Sequence, residues 1–233
     1  MSQAASDRTV ARVVFVVSLL IAAAVYVRPE LSPIAQPLQL LSTLAHEMGH
    51  GLAALAVGGE FRSFELFSDG SGLARTASPD TPVARALVAA GGLVGPALAA
   101  VVCFMTGKRP GAARVFMTVL AIAALLACFL VLRNTFGRLF VGGFAVLLAW
   151  IALQGGPRTV QTAVVFVGSQ LALSVFSRSD YLFSEIARTS SGTMPSDVAT
   201  MASALLLPYW LWGAVCGAFS IWALWVGVLE LWR

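Results

Sequence analysis

Charge is scarce in this chain. Only 11% of its 233 residues are Asp, Glu, Lys or Arg, where a soluble domain carries roughly a quarter, and 58% are hydrophobic. Lys108 is the lone lysine beside fourteen arginines, which are scattered singly between apolar runs. No basic stripe forms, so no nucleic acid partner is expected. Cysteine is sparse and odd in number. Cys103, Cys128 and Cys216 lie far apart in apolar segments, which excludes a disulfide framework and a cysteine-rich zinc site. Histidine is scarcer still: His46 and His50 are the only two.

What fills the chain instead is a series of long apolar runs. At roughly 17–25 residues per crossing they give about seven transmembrane helices. These fall near residues 10–28, 37–57, 83–106, 112–132, 138–154, 159–177 and 198–229. The expected fold is therefore an all-α polytopic membrane protein, with residues 1–233 forming a single transmembrane domain. The last run is long for one crossing, so either Pro208 kinks it or an interfacial helix precedes the span. Arg8 and Arg12 precede the apolar run 13–27 as they would in a secretory signal. We read that run as an uncleaved first helix, because it is long enough to span and the chain continues as a membrane protein.

The main polar interruption follows the second run. Phe61, Phe64 and Phe67 alternate loosely with polar residues up to Ser68-Asp69-Gly70-Ser71-Gly72, which holds turn dipeptides. We expect a short β-hairpin after the second helix, within residues 58–80. It lies at the membrane surface or dips into space lined by protein, since lipid does not tolerate an unpaired strand edge. Counting positive charges puts nine arginines on the side of the N-terminus and six basic residues on the other. The N-terminus and the hairpin are accordingly expected in the cytoplasm.

The chemistry is concentrated in His46-Glu47-Met48-Gly49-His50, inside the second apolar run. Four residues apart on a helix, the two imidazoles stack on one face, near enough to ligate one metal. Glu47 lies about 100° round the helix, beside the metal, where it can move a proton to and from metal-bound water. Ionisable groups at membrane depth are costly unless paired or functional, so a chance surface cluster is a poor explanation. A proton relay or a non-catalytic metal site would also place such residues there.

Zinc suits two imidazoles and a carboxylate, with the fourth position left for water. With no third histidine, the third protein ligand must be a carboxylate. Asp180 is favoured, since it follows the apolar run 160–176 at the edge of a span. Asp69 and Asp80 belong to the turn-rich loop and read as solvated. Asp197, after Pro195-Ser196, reads as part of a helix cap. Glu185 and Glu65 complete the alternatives.

The chain resembles the site-2-protease family of intramembrane zinc metalloproteases, and within it the small bacterial B-like branch. The matching segments are Leu44 to Ala54 around the motif, Gly58-Gly59, and Asp69-Gly70-Ser71-Gly72. They continue with Ala90-Gly91-Gly92-Leu93-Val94-Gly95-Pro96-Ala97, Ser179-Asp180-Tyr181-Leu182 and Ser196-Asp197. The resemblance implies a Zn2+ held by His46, His50 and Asp180, with Glu47 as general base. It also implies a bacterial cytoplasmic membrane as location and a membrane protein or peptide as substrate. One departure stands out. Better-studied members carry Asn-x-x-Pro followed by Leu-Asp-Gly, and this chain has only Asn134 in Arg133-Asn134-Thr135-Phe136-Gly137.

The expected activity is hydrolysis of peptide bonds in membrane-embedded or membrane-tethered proteins. Seven residues separate His50 from Gly58, which sets the site about 10 Å below the helix end at 1.5 Å per residue. Water must therefore reach it through a polar cavity. Two other classes compete. One is a catalytically inactive pseudoprotease that binds and regulates membrane helices, against which the intact Glu47 argues. The other is a transporter, which would show internal repeats and more intramembrane charges. Gly91 and Gly95, four apart, allow close approach of another helix.

Overall fold

A computed structural model describes residues 3–27, 32–177, 182–190 and 192–233. Among these the chain forms eight helices and two small two-stranded sheets. The helices are α1 (Gln3–Val27), α2 (Ser32–Ala56), α3 (Pro82–Gly107), α4 (Pro110–Leu130), α5 (Thr135–Gln154), α6 (Pro157–Ser177), α7 (Asp197–Leu205) and α8 (Tyr209–Trp232). The strands are β1 (Glu60–Leu66), β2 (Gly72–Ala77), β3 (Ile186–Thr189) and β4 (Gly192–Pro195).

Four helices, α3, α4, α5 and α8, are long and apolar enough to cross a membrane. Their outward faces are apolar too: Phe129 is 78% exposed, Leu139 72% and Leu153 75%. Such surface suits lipid and not water. The expected seven spans exceed these four. The remaining long helices, α1, α2 and α6, turn polar groups inward, among them Ser18, Thr43, Glu47, Gln161 and Ser169, all buried. The charge that makes α2 interesting also makes it less apolar.

The centre of the bundle is α3, which packs against α2, α6, α7 and α8. Its small residues permit the contact with α2. A Cβ added to Gly91 would stand 2.6 Å from the Gly49 carbonyl oxygen, and one added to Gly49 only 2.2 Å from that of Gly91. The two backbones therefore touch, as in small-residue membrane helix pairs. Helix packing is thus the part played by Gly91 and by Gly95, where an added Cβ would lie 3.0 Å from the Ala45 carbonyl oxygen.

After α2 the chain reverses through Gly58, whose φ of +79° favours glycine. Residues β1 and β2 then pair antiparallel, with Phe64 opposite Ala74. This hairpin runs back along α2. The Gln36 amide donates to the Ser68 carbonyl at 2.6 Å, and the Thr43 hydroxyl donates to the Gly70 carbonyl at 2.6 Å. The lengths agree: seven strand residues cover about 23 Å and sixteen helix residues about 24 Å.

The outer edge of β1 is covered by the segment between α4 and α5. Phe64 N–H donates to the Val131 carbonyl at 2.8 Å, and Arg133 N–H to the Phe64 carbonyl at 3.0 Å. Asn134 brackets Leu66, accepting from its N–H at 3.1 Å and donating to its carbonyl at 2.6 Å. Phe64 and Leu66 are fully buried. The hairpin thus has protein on the edge that would otherwise meet lipid.

The long last run is divided. Helix α7 ends at Leu206, which adopts a left-handed φ of 59°, and Pro208 precedes α8. The second hairpin, β3 with β4, was not expected from sequence. It meets the tip of the first: Ser190 Oγ donates to Asp69 Oδ2 at 2.6 Å, and Ser190 N–H to Ser71 Oγ at 3.2 Å.

Candidate metal centre and cleft

The two histidines point into a common space, as their spacing on α2 requires. Their Nε2 atoms lie 3.2 Å apart. His50 Nδ1 is 2.8 Å from the Val88 carbonyl on α3. A carbonyl only accepts, so Nδ1 carries the proton and Nε2 of the neutral ring keeps its lone pair for a metal.

The third member comes from α7. Ser196 caps that helix, accepting from Ala199 N–H at 3.2 Å, and donates to the Ser184 carbonyl at 2.5 Å. The cap fixes Asp197 as the first helical residue and aims it at the histidines. Asp197 Oδ2 lies 3.1 Å from His46 Nε2, and Oδ1 lies 3.3 Å from His50 Nε2. The cap expected at Ser196-Asp197 is formed by Ser196, while Asp197 faces the histidines, a placement that the sequence does not reveal. Asp180, the expected third ligand, lies outside the described residues.

The donor set fits a tetrahedral zinc. Bonds of about 2.0–2.1 Å at tetrahedral angles put ligand atoms about 3.3 Å from one another. The three separations here are 3.1, 3.2 and 3.3 Å. Asp197 Oδ2 is buried and, apart from the His46 nitrogen 3.1 Å away, has no polar partner among the described residues, as a carboxylate oxygen reserved for a cation would be. Among the described residues, His46, His50 and Asp197 are the group able to hold a metal ion.

Glu47 is set apart from the triad. It is 7% exposed, and its Oε2 accepts from the Ala74 N–H of β2 at 2.7 Å. Glu47, His46, His50 and Asp197 all line one cavity of about 280 Å³. Its walls are β2, the start of α3 and the β3–β4 hairpin, with Ala74, Thr76 and Ser78 along one side. The remaining expected alternatives lie elsewhere. Asp69 bonds the hairpin tips, Glu65 pairs with Arg75 at 3.5 Å, and neither Asp80 nor Glu185 joins the triad.

A sequence model of the family described as Peptidase M50B-like matches residues 16–227. No curated protein and no solved structure matches the chain.

Proposed function

Because the chain belongs to the Peptidase M50B-like family, the B-like branch of the site-2-protease family, we propose that it is an intramembrane zinc metalloendopeptidase. It acts on membrane-embedded or membrane-tethered proteins, in a multi-pass fold whose seven long helices, α1 to α6 and α8, cross a bacterial cytoplasmic membrane. The observation that carries this reading is the convergence of His46, His50 and Asp197 on one cleft with Glu47 beside them.

In this reading His46, His50 and Asp197 hold the zinc, with Asp197 in the place expected of Asp180. Bound there, zinc supplies a Lewis acid that polarises the scissile carbonyl and acidifies water. The protein supplies the rest. Val88 fixes the His50 ring and its tautomer. Ala74 N–H holds the Glu47 carboxylate at the cleft wall, where it takes a proton from the attacking water and returns it to the leaving amine. A substrate helix must unwind to reach this point. Strand β2 pairs only with β1 among the described residues, so its cleft side can align the extended segment by strand addition.

The test is cleavage of a membrane-tethered substrate by purified wild type and Glu47→Gln protein. The wild type cuts, and Glu47→Gln binds zinc equally but cuts at least a hundredfold more slowly. Equal cutting by both would rule out Glu47 as the proton carrier.

A further inference from the structure

The cleft contains one cation that hydrolysis does not use. Arg85 stands in the first turns of α3, one turn before Val88, and lines the same 280 Å³ cavity as Glu47 and Asp197. Among the described residues, the other ionisable groups around that cavity are His46, Glu47, His50 and Asp197, all assigned to the proposed site. The remaining lining is apolar or hydroxylic. Among the described residues, Arg85 is therefore its one permanent positive charge.

That charge is unmatched. Arg62 pairs with Glu60 and Arg75 with Glu65, but the Arg85 guanidinium has no hydrogen bond or ion pair among the described residues. Asp80, just ahead of the α3 cap residue Thr81, forms no ion pair with it, and the first turn of α3 has no acidic residue. A cation near a helix N-terminus opposes the helix dipole, which makes an anion from outside the more favourable there.

The position also sets a distance. Ala74 holds Glu47, and Thr76 and Ser78 follow along the same wall toward the start of α3. Four strand residues from Ala74 to Ser78 span about 13 Å. On the other wall, the three residues from Val88 to Arg85 rise about 4.5 Å, and the arginine side chain adds its own reach. A peptide extended along β2, with its scissile carbonyl beside Glu47, presents a side chain to Arg85 about three to five residues away.

We propose that Arg85 is a specificity-determining residue that binds an acidic side chain of the substrate at that distance from the scissile bond. This deepens the protease reading and rests on it for the identity of the ligand. The site takes a carboxylate on an extended peptide, which it recognises by charge-assisted hydrogen bonds.

The test uses the full-length Glu47→Gln protein, so that binding is read without cleavage. A fluorescent Ala- and Val-rich peptide carries one Glu or one Gln at each position in turn. At one position the Glu peptide binds about tenfold more tightly than its Gln partner. Adding Arg85→Gln abolishes that preference, and adding Arg85→Glu transfers it to a Lys peptide, with zinc content unchanged in both. Equal binding of every Glu and Gln pair, or a preference that survives Arg85→Gln, overturns the proposal. A protein that shows the preference but never cuts removes the protease reading and leaves Arg85 standing. One that cuts without any preference removes Arg85 alone, and one that binds no peptide removes both.

Discussion

Glu47 Oε2 accepts the Ala74 N–H at 2.7 Å, so the residue proposed to move the proton is aligned by the same strand that is proposed to align the substrate. That alignment depends on Gly72, two residues before Ala74. A Cβ at position 72 would lie 2.8 Å from Glu47 Cγ, 2.9 Å from its Oε1 and 2.7 Å from Thr43 Cγ2. Gly72→Val must displace the carboxylate. We expect kcat to fall about a hundredfold, the cost of misplacing a catalytic group by about 1 Å, with zinc content unchanged. Wild-type turnover in this variant would show that Glu47 has no fixed station.

Gly92 does for the metal what Gly72 does for the base. A Cβ there would meet His50 Cε1 and Nε2 at 2.3 Å. The ring cannot retreat freely, because Val88 holds its other nitrogen. Gly92→Ala should weaken zinc binding about 10- to 100-fold in a chelator competition. Gly143→Ala, where a Cβ meets open space, is the control and should bind as the wild type does. Equal affinities for the two variants would separate Gly92 from the metal site.

The legible parts of this molecule are the local ones. His46, Glu47 and His50 announce themselves because helical periodicity alone sets their geometry. The apolar runs and the Asp69-Gly70 turn are local signals as well. Asp197 is not legible in this way. Its cap neighbourhood already accounts for it, and its approach to His46 depends on where α7 packs against α3. Asn134 was equally hidden. In sequence it is one polar residue of the short Arg133-Asn134-Thr135 connection, and its partner is the Leu66 backbone, brought near by the fold. The β3–β4 hairpin has only four residues per strand and no clean alternation, so its pattern is too short to read.

The third ligand is open to direct measurement. Asp197→Ala should lower zinc affinity by at least tenfold, because only two imidazoles remain, and Asp180→Ala should retain the metal. Metal analysis of the purified variants after dialysis against a weak chelator decides it. Zinc lost from Asp180→Ala and kept by Asp197→Ala would restore Asp180 and remove Asp197.

Asp69 gives the molecule a pH-dependent fastening away from the metal. Ser190 Oγ and Ser71 both donate to its carboxylate, at 2.6 and 2.7 Å. The Ser190 bond, then those from Ser71, hold the carboxyl below its ordinary value of 3.8. A carboxyl with a depressed pKa stabilises its contacts fully above the ordinary value, and that stabilisation is lost as pH falls through the depressed one. The two hairpin tips should therefore stay joined at neutral pH and separate only in acid. Hydrogen exchange at the Ser190 amide, which donates to Ser71 Oγ, reports the join. At neutral pH this amide should exchange more slowly in the wild type than in Asp69→Asn. The difference should vanish below the ordinary carboxylate range, because the wild-type group is then neutral as well. Comparing the two proteins at each pH cancels the intrinsic pH dependence of exchange. A difference that persists undiminished in acid would mean that shape, and not the Asp69 charge, holds the second hairpin over the cleft.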